Sequence, residues 1–429
     1  MALKTKIKST MLGVFTSEGY NNWRKGKARY LRMLRVEPPK VYYFHCVGDP
    51  YSHLAVQKLA AFQAQCSIAV ECHVAGSTET VFQGDATKFH TWALQDAKSI
   101  AEYFGVQFAP TVDPSVAEVL AANHDLISRM DSEDFAVIAK EVGDSLWSGE
   151  YQGKPIEGSG SRVNAILNRG DLLRKRLGHY LGGSFYFEGE WFWGVDRLHL
   201  LEQRLKDEGY YEETSPLLCP MPRVEDFATP VVDDLVLEYF PSLRSPYTAI
   251  GHKRVLDLIE RTGVKLRLRP VMPMMMRGIP APFAKQQYII TDSAREARFY
   301  GDAFGPFCDP FGEPVKRAFA VFHHAVSQDL GLEFVTEYLD AAWAEGLDIT
   351  TDAGLAEVCE RVGVRAAEVD FNSGWMAVLE DNLAAMAQGS LWGVPSFRVT
   401  GGGQPPFACW GQDRIWRVAA ELKNRSEGS

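Results

Sequence analysis

The chain contains no C-x-x-C pair. Its seven cysteines, Cys46, Cys66, Cys72, Cys219, Cys308, Cys359 and Cys409, are scattered and odd in number. That usage fits reduced thiols in a reducing compartment, and it sets aside zinc ribbons and dithiol redox chemistry. No apolar run approaches the ~20 residues of a membrane span. The basic start, MALKTKIKSTMLGVF, lacks the continuous apolar stretch and small-residue cleavage site of a secretory signal. An excess of positive charge is missing as well: the net charge is −10, which argues against nucleic acid as the main partner. Together these absences predict a cytoplasmic protein with no membrane and no nucleic-acid role.

What is present is a globular composition, 46% hydrophobic and 23% charged, in a chain of 429 residues. That length suffices for two or three domains with ordinary cores.

Two stretches repeat each other. Leu391 to Arg414, LWGVPSFRVTGGGQPPFACWGQDR, reads as a proline-bearing loop, a strand over Ser396 to Thr400, a Gly401-Gly402-Gly403 turn and a second strand over Phe407 to Trp410. Leu181 to Arg197, LGGSFYFEGEWFWGVDR, has the same layout with a tighter turn, and both end in W-G-x-D-R. Upstream of each lies a strand–helix–strand: Val41 to Val47, a helix opened by Asp49-Pro50, then Ser67 to Val74; and Leu235 to Phe240, a helix opened by Ser245-Pro246, then Val264 to Pro270. This order is a βαβ unit with parallel strands, and proline as the first helical residue is a usual helix start. Between the opening βαβ and the closing hairpin each half carries a mostly helical stretch. There YIITDSAREARFYG matches ALQDAKSIAEYFG, with Asp292 over Asp96 and Gly301 over Gly105. Ser245 follows Asp49, and Asp292 follows Asp96, by the same 196 positions. The pattern predicts an internal duplication.

The division that follows is 1–39, a basic helical segment; 40–210, a first domain; 211–234, a linker with four prolines; and 235–429, a second domain. The basic segment, Tyr20 to Val36, carries Arg24, Lys25, Lys27, Arg29, Arg32 and Arg35. It reads as a solvated helix packed on the first domain.

Tyr239-Phe-Pro-Ser-Leu-Arg-Ser-Pro-Tyr-Thr248, Lys285, Asp292 to Gly301, Gly393-Val-Pro-Ser-Phe397 and Trp410-Gly-Gln-Asp-Arg414 together resemble 2-hydroxychromene-2-carboxylate isomerases and kappa-class glutathione transferases. These lie within the wider DsbA-like clan. The resemblance covers nearly all of residues 235–429 and is degraded over 40–205. It implies an α/β fold of two thioredoxin-like domains, each with a helical insertion, and glutathione as thiol cofactor or co-substrate.

Site residues follow from the same resemblance. Ser245 stands where dithiol relatives carry their attacking cysteine and where the isomerases carry serine. A hydroxyl at a helix N-terminus suits a thiolate, helped by the dipole and free amides; the alternative is a plain helix cap. Arg244 adds positive potential. Val394-Pro395 matches the cis-proline step, which offers the Val394 backbone to the cysteinyl part of glutathione. Gln412, Asp413 and Arg414 are implied at the γ-glutamyl end, with a structural role for the last two the alternative, because Asp196 and Arg197 persist in the first half. Lys285 matches a lysine near the glutathione and substrate carboxylates. The segment Met274 to Pro280 departs from the family. The family's glutathione-contacting asparagine has no clear counterpart there: either Arg277 substitutes for it, or the site holds a different substrate or thiol. In the first half Asp49 replaces the serine and Gly183 the proline, so no second glutathione site is expected. His323-His324 is not read as a metal site, because neighbours on a helix face different directions.

The functional expectation is a glutathione-dependent isomerase or transferase acting on a small, aromatic or carboxylated electrophile, arranged as an intrachain pseudo-dimer. The competing readings are a non-catalytic binding or scaffold protein and, disfavoured by the absent C-x-x-C, a thiol oxidoreductase.

Overall fold

The computed structural model describes residues 9, 13–153, 160–232 and 234–427. Most of the basic start, and Asp233 of the linker, lie outside the described residues. The chain separates into two compact units. One comprises Asn22–Met221 with Pro282–Lys285; the other comprises Met1–Asn21, Pro222–Ala281 and Gln286–Ser429.

The first unit opens within α1 (Glu18–Leu34), whose residues from Asn22 onward belong to it. Its basic side meets the acidic tip of a hairpin: Arg32 and Arg29 donate to the Glu188 carboxylate at 2.7 and 3.0 Å, and Arg24 donates to the Gly189 carbonyl at 2.7 Å. The arginine run is thus spent inside the fold. The sheet comprises β1 (Lys40–His45), β2 (Ala69–Val74), β3 (Ser184–Phe187) and β4 (Glu190–Trp193), in the order β2-β1-β3-β4. β1 pairs parallel to β2 and antiparallel to β3. The crossover helix α2 (Pro50–Gln65) buries nine residues, among them Tyr51, Leu54, Leu59 and Phe62. The insertion before β3 holds α3 (Ala86–Ile100), α4 (Val116–Arg129), α5 (Phe135–Ser148) and α6 (Gly160–Arg176), and α7 (Leu198–Asp207) follows β4.

The second unit repeats this plan. Its strands β5 (Val236–Phe240), β6 (Lys265–Leu268), β7 (Ser396–Gly401) and β8 (Gln404–Trp410) have the order β6-β5-β7-β8. β5 is parallel to β6 and antiparallel to β7, with α8 (Pro246–Thr262) as the crossover. The insertion is α9 (Phe283–Tyr300), α10 (Glu313–Val326), α11 (Gly331–Asp340), α12 (Asp352–Val362) and α13 (Trp375–Gln388), and α14 (Ile415–Glu427) closes the chain. A single apolar cluster fills this helical part, built on Phe319, Phe322, Phe334, Tyr338, Trp343, Leu355 and Val358. It reaches the loop after β5 through Leu243, whose carbonyl accepts from the Trp343 indole at 3.1 Å.

Matching hydrogen bonds recur in the two units. Tyr51 donates to Asp96 at 2.7 Å and Tyr247 to Asp292 at 2.8 Å, each across 45 positions. The Cys46 amide donates to the Ser52 hydroxyl, as the Ser242 amide does to the Thr248 hydroxyl. Gly194 N–H donates to the Gly183 carbonyl and Gly411 N–H to the Pro395 carbonyl, both at 2.9 Å. The architecture is α/β, with two thioredoxin-like domains that each carry a helical insertion. Among the described residues no helix is long and apolar enough to cross a membrane, and no group of three His, Cys, Asp or Glu side chains stands ready to hold a metal.

Candidate functional site

Ser245 is the N-cap of α8, extended at φ −115° and ψ 118°, with Pro246 preset for the first turn. Its Oγ accepts from the Thr248 amide at 3.1 Å. The hydroxyl proton has one contact, the Val394 carbonyl at 3.5 Å, at the outer limit of a hydrogen bond. Capping uses the oxygen's lone pair and leaves the proton weakly committed. The cap and the donor are therefore compatible roles of one hydroxyl.

The Val394–Pro395 bond is cis. The loop that carries it is set by close packing: a Cβ on Gly393 would lie 2.1 Å from the Trp410 ring, so only glycine fits. The Gly393 carbonyl then accepts from Ser396 Oγ at 2.8 Å.

Arg244, expected to lend positive potential, is instead neutralised locally. Its guanidinium forms a fork on Asp309, at 2.6 and 3.0 Å, and lies over the Phe311 ring. This pair ties the loop before Ser245 to the insertion. Gln412 is likewise engaged. Its amide donates to Glu296 at 2.9 Å, its side-chain oxygen accepts from Arg254, and its carbonyl accepts from Arg254 at 3.1 Å. α8 approaches this network closely, for a Cβ on Gly251 would lie 2.9 Å from the Gln412 Cβ. Asp413 turns back toward Gly411, whose φ is +120°. Arg414 is buried and donates to the Asp413 carbonyl at 3.2 Å. Lys285 is buried and donates to the Phe82 carbonyl at 2.8 Å, within the first unit; burial pulls its ammonium down to about 8. Ser245, Val394 and Pro395 are thus brought together, whereas the polar ends of Arg244, Gln412 and Lys285 are occupied by protein partners.

Tyr247, Glu296 and Arg254 were not singled out by sequence reasoning. Only Tyr247 left a signal, in the Tyr–Asp pair repeated at equal spacing.

The equivalent corner of the first unit is closed. Asp49 caps α2 by accepting from the Ser52 amide at 2.8 Å and the Ser52 hydroxyl at 2.6 Å, and burial pushes its carboxyl above the usual range. A Cβ on Gly183 (φ +61°) would lie 2.9 Å from the backbone of Tyr51 and Ser52, and one on Gly182 would lie 2.7 Å from Cys46 Sγ. The glycine loop has settled onto the helix start, where a prolyl ring has no room.

An open depression of 640 Å³ on the first unit, lined by Val56, Gln57, Val137, Lys140 and Asp144 among others, includes none of the expected site residues.

No curated protein matches the chain. Solved structures similar to it include a 2-hydroxychromene-2-carboxylate isomerase, 19% identical over 44% of this chain and 95% of that one, with a TM-score of 0.38. The cytosolic disulfide reductase DsbM from Pseudomonas aeruginosa is 20% identical over 44% of this chain and 98% of its own, at a TM-score of 0.36. A further DsbM structure, solved with GSH, is 18% identical over 44% and 99%, at 0.34. The family described as DSBA-like thioredoxin domain matches from Val236, the first residue of β5, to Lys423 in α14, which takes in the βαβ, the helical insertion and the closing hairpin. That match spans 188 of the chain's 429 residues, somewhat less than half.

Proposed function

We propose that the chain is a glutathione-dependent isomerase or transferase whose thiolate is held at Ser245 and attacks a small electrophile. The observation that carries this reading is the Ser245 hydroxyl itself. It sits at the N-terminus of a 17-residue helix, and its proton is weakly engaged by the Val394 carbonyl at 3.5 Å. A thiolate placed there gains a hydrogen bond and the favourable end of the helix dipole. Each unit by which the thiol pKa falls corresponds to ~1.4 kcal/mol of anion stabilisation.

In the isomerase form the thiolate adds to the β-carbon of a conjugated acceptor, and the π electrons move onto the activating carbonyl. The former double bond rotates as a single bond, and collapse of the enolate expels the thiolate. In the transferase form the adduct takes a proton and leaves. Val394 and Pro395 form the wall beside the thiol. Asp413 and Arg414 are read at the γ-glutamyl end, and Gln412 acts there by shaping the start of α14 through Glu296 and Arg254. Lys285 is retained as a glutathione-binding residue in this reading; Arg244 serves to position the loop.

We read the first half as a duplicated copy that has lost its site, joined through 211–234 and serving as the counterpart that a partner subunit supplies in an isologous dimer. The shared strand order and hydrogen bonds support this, as does the filled corner at Gly183. The setting is read as cytoplasmic. Calorimetric titration with glutathione tests the whole: one site per chain is expected, and none at millimolar glutathione, or two equivalent sites, sinks it.

A further inference from the structure

Arg277 ends a short 3-10 turn, Met274–Arg277, on the β6–α9 connection. Its Nε donates to the Met272 carbonyl at 2.9 Å and its Nη2 to the Trp392 carbonyl at 2.6 Å. Other well-covered arginines of this unit meet carboxylates: Arg244 meets Asp309, Arg269 and Arg398 meet Glu238, and Arg295 meets Asp292. Arg277 meets none among the described residues, and its Nη1 has no protein partner there. A guanidinium drawn out of water without a counter-charge is costly. Burial lowers its pKa to about 10, which leaves it charged at neutral pH.

Its position gives that cost a purpose. Trp392 is two residues before Val394, whose carbonyl faces Ser245 Oγ. Met275, in the same turn, takes the Arg244 Nη1 at 3.4 Å. The cation therefore stands at the edge of the Ser245 corner, in one turn with Met274 and Met275, whose flexible thioethers suit an apolar ring, while Met272 and Met276 pack against the apolar cluster of the insertion. The two carbonyls hold the planar fork in place, and a fixed fork matches a carboxylate.

We propose that Arg277 seats a carboxylate of the ligand that occupies the Ser245 corner. This deepens the reading of that corner as a thiol site, on which it rests. Two sources share this chemistry: an aromatic carboxylate electrophile, and glutathione, which has carboxylates of its own.

The test titrates the full chain and its Arg277→Gln and Arg277→Lys variants with benzoate, benzamide, glutathione and glutathione ethyl ester. Benzoate is expected to bind at least tenfold more tightly than benzamide, to lose that preference in Arg277→Gln and to recover part of it in Arg277→Lys. If glutathione instead weakens tenfold in Arg277→Gln, and its ester is indifferent to the change, the carboxylate is that of glutathione. Equal binding of benzoate and benzamide to the native chain, together with glutathione affinity unchanged in both variants, overturns the assignment. So does failure of every probe to bind. The native-chain comparison decides the benzoate arm even where Arg277→Gln unfolds, and Arg277→Lys then serves the glutathione arm. Benzoate held through Arg277 by a chain that ignores glutathione would refute the thiol reading and leave this one standing.

Discussion

The side-chain amide of Gln412 donates to the buried Glu296 carboxylate at 2.9 Å, and both residues are about 1% exposed. In the aligned repeat these positions are Val195 and Ile100, both fully buried. One half thus places a hydrogen-bonded polar pair at these positions, and the other two buried apolar side chains. Gln412→Val alone removes a donor from a buried carboxylate and is expected to cost about 1–3 kcal/mol. Transplanting the other half's pair, Gln412→Val with Glu296→Ile, is expected to recover part of that loss. Denaturant midpoints of the three variants decide it; a double variant as unstable as the sum of the singles counts against the equivalence.

Ser245 has two separable duties. Ser245→Ala is expected to lose about 1 kcal/mol through the cap and ~10²-fold in activity. Ser245→Asp, which imitates Asp49, is expected to keep the cap and abolish activity, because a carboxylate opposes a thiolate. Turnover together with the ultraviolet absorbance of bound thiolate separates the duties. Normal activity in Ser245→Ala would leave the serine a cap and nothing more.

Gly393 is required by the indole of Trp410. Gly393→Ala is expected to destabilise by about 1–3 kcal/mol through overpacking, and Trp410→Leu in the same chain should relieve part of it. A Gly393→Ala chain that melts with the native one would show that the loop has slack.

His252 is buried between the Tyr239 hydroxyl at 3.2 Å and the Thr336 hydroxyl at 2.8 Å, and burial holds it down to about 4. His45 in the other half is pulled down to about 3 for the same reason. An unfolded histidine titrates near its ordinary value, about 6.5, so acid protonates the unfolded chain first. Their contribution is complete above that value and is lost as pH falls toward 4, by about 3 kcal/mol for His252. Stability profiles against pH should slope less in His252→Gln. A native profile flat over this range would show that the ring is solvated.

The truncated chain 230–429 tests the pseudo-dimer. Insolubility or forced homodimerisation is expected. A soluble, fully active monomer would remove any structural need for the first half.

The common plan of the two units was legible because it rests on local pattern. Strand alternation, Asp49-Pro50 and Ser245-Pro246 as helix starts, and W-G-x-D-R before the last helix each act within a few residues. The strand order of both sheets follows from such units, since a βαβ crossover and a hairpin leave few ways to join four strands. The identity of Ser245 as a cap, and the aligned Asp96 and Asp292, could likewise be read from spacing alone.

What surrounds those residues was decided by chain segments far apart in sequence. That Arg244 is neutralised by Asp309, that Gln412 is held by Glu296 and Arg254, and that Arg277 meets the Trp392 carbonyl and no anion among the described residues are facts about contacts across 65 to 158 positions. No local periodicity encodes them. The type of a polar side chain fixes what it can bond to, but which partner it meets depends on how helices and strands pack, and burial then sets what an unmet charge costs. The sequence by itself determined two βαβ-hairpin folds and where their corners lie; tertiary packing decided that one corner is filled by Gly183 and that the other keeps a hydroxyl proton to give.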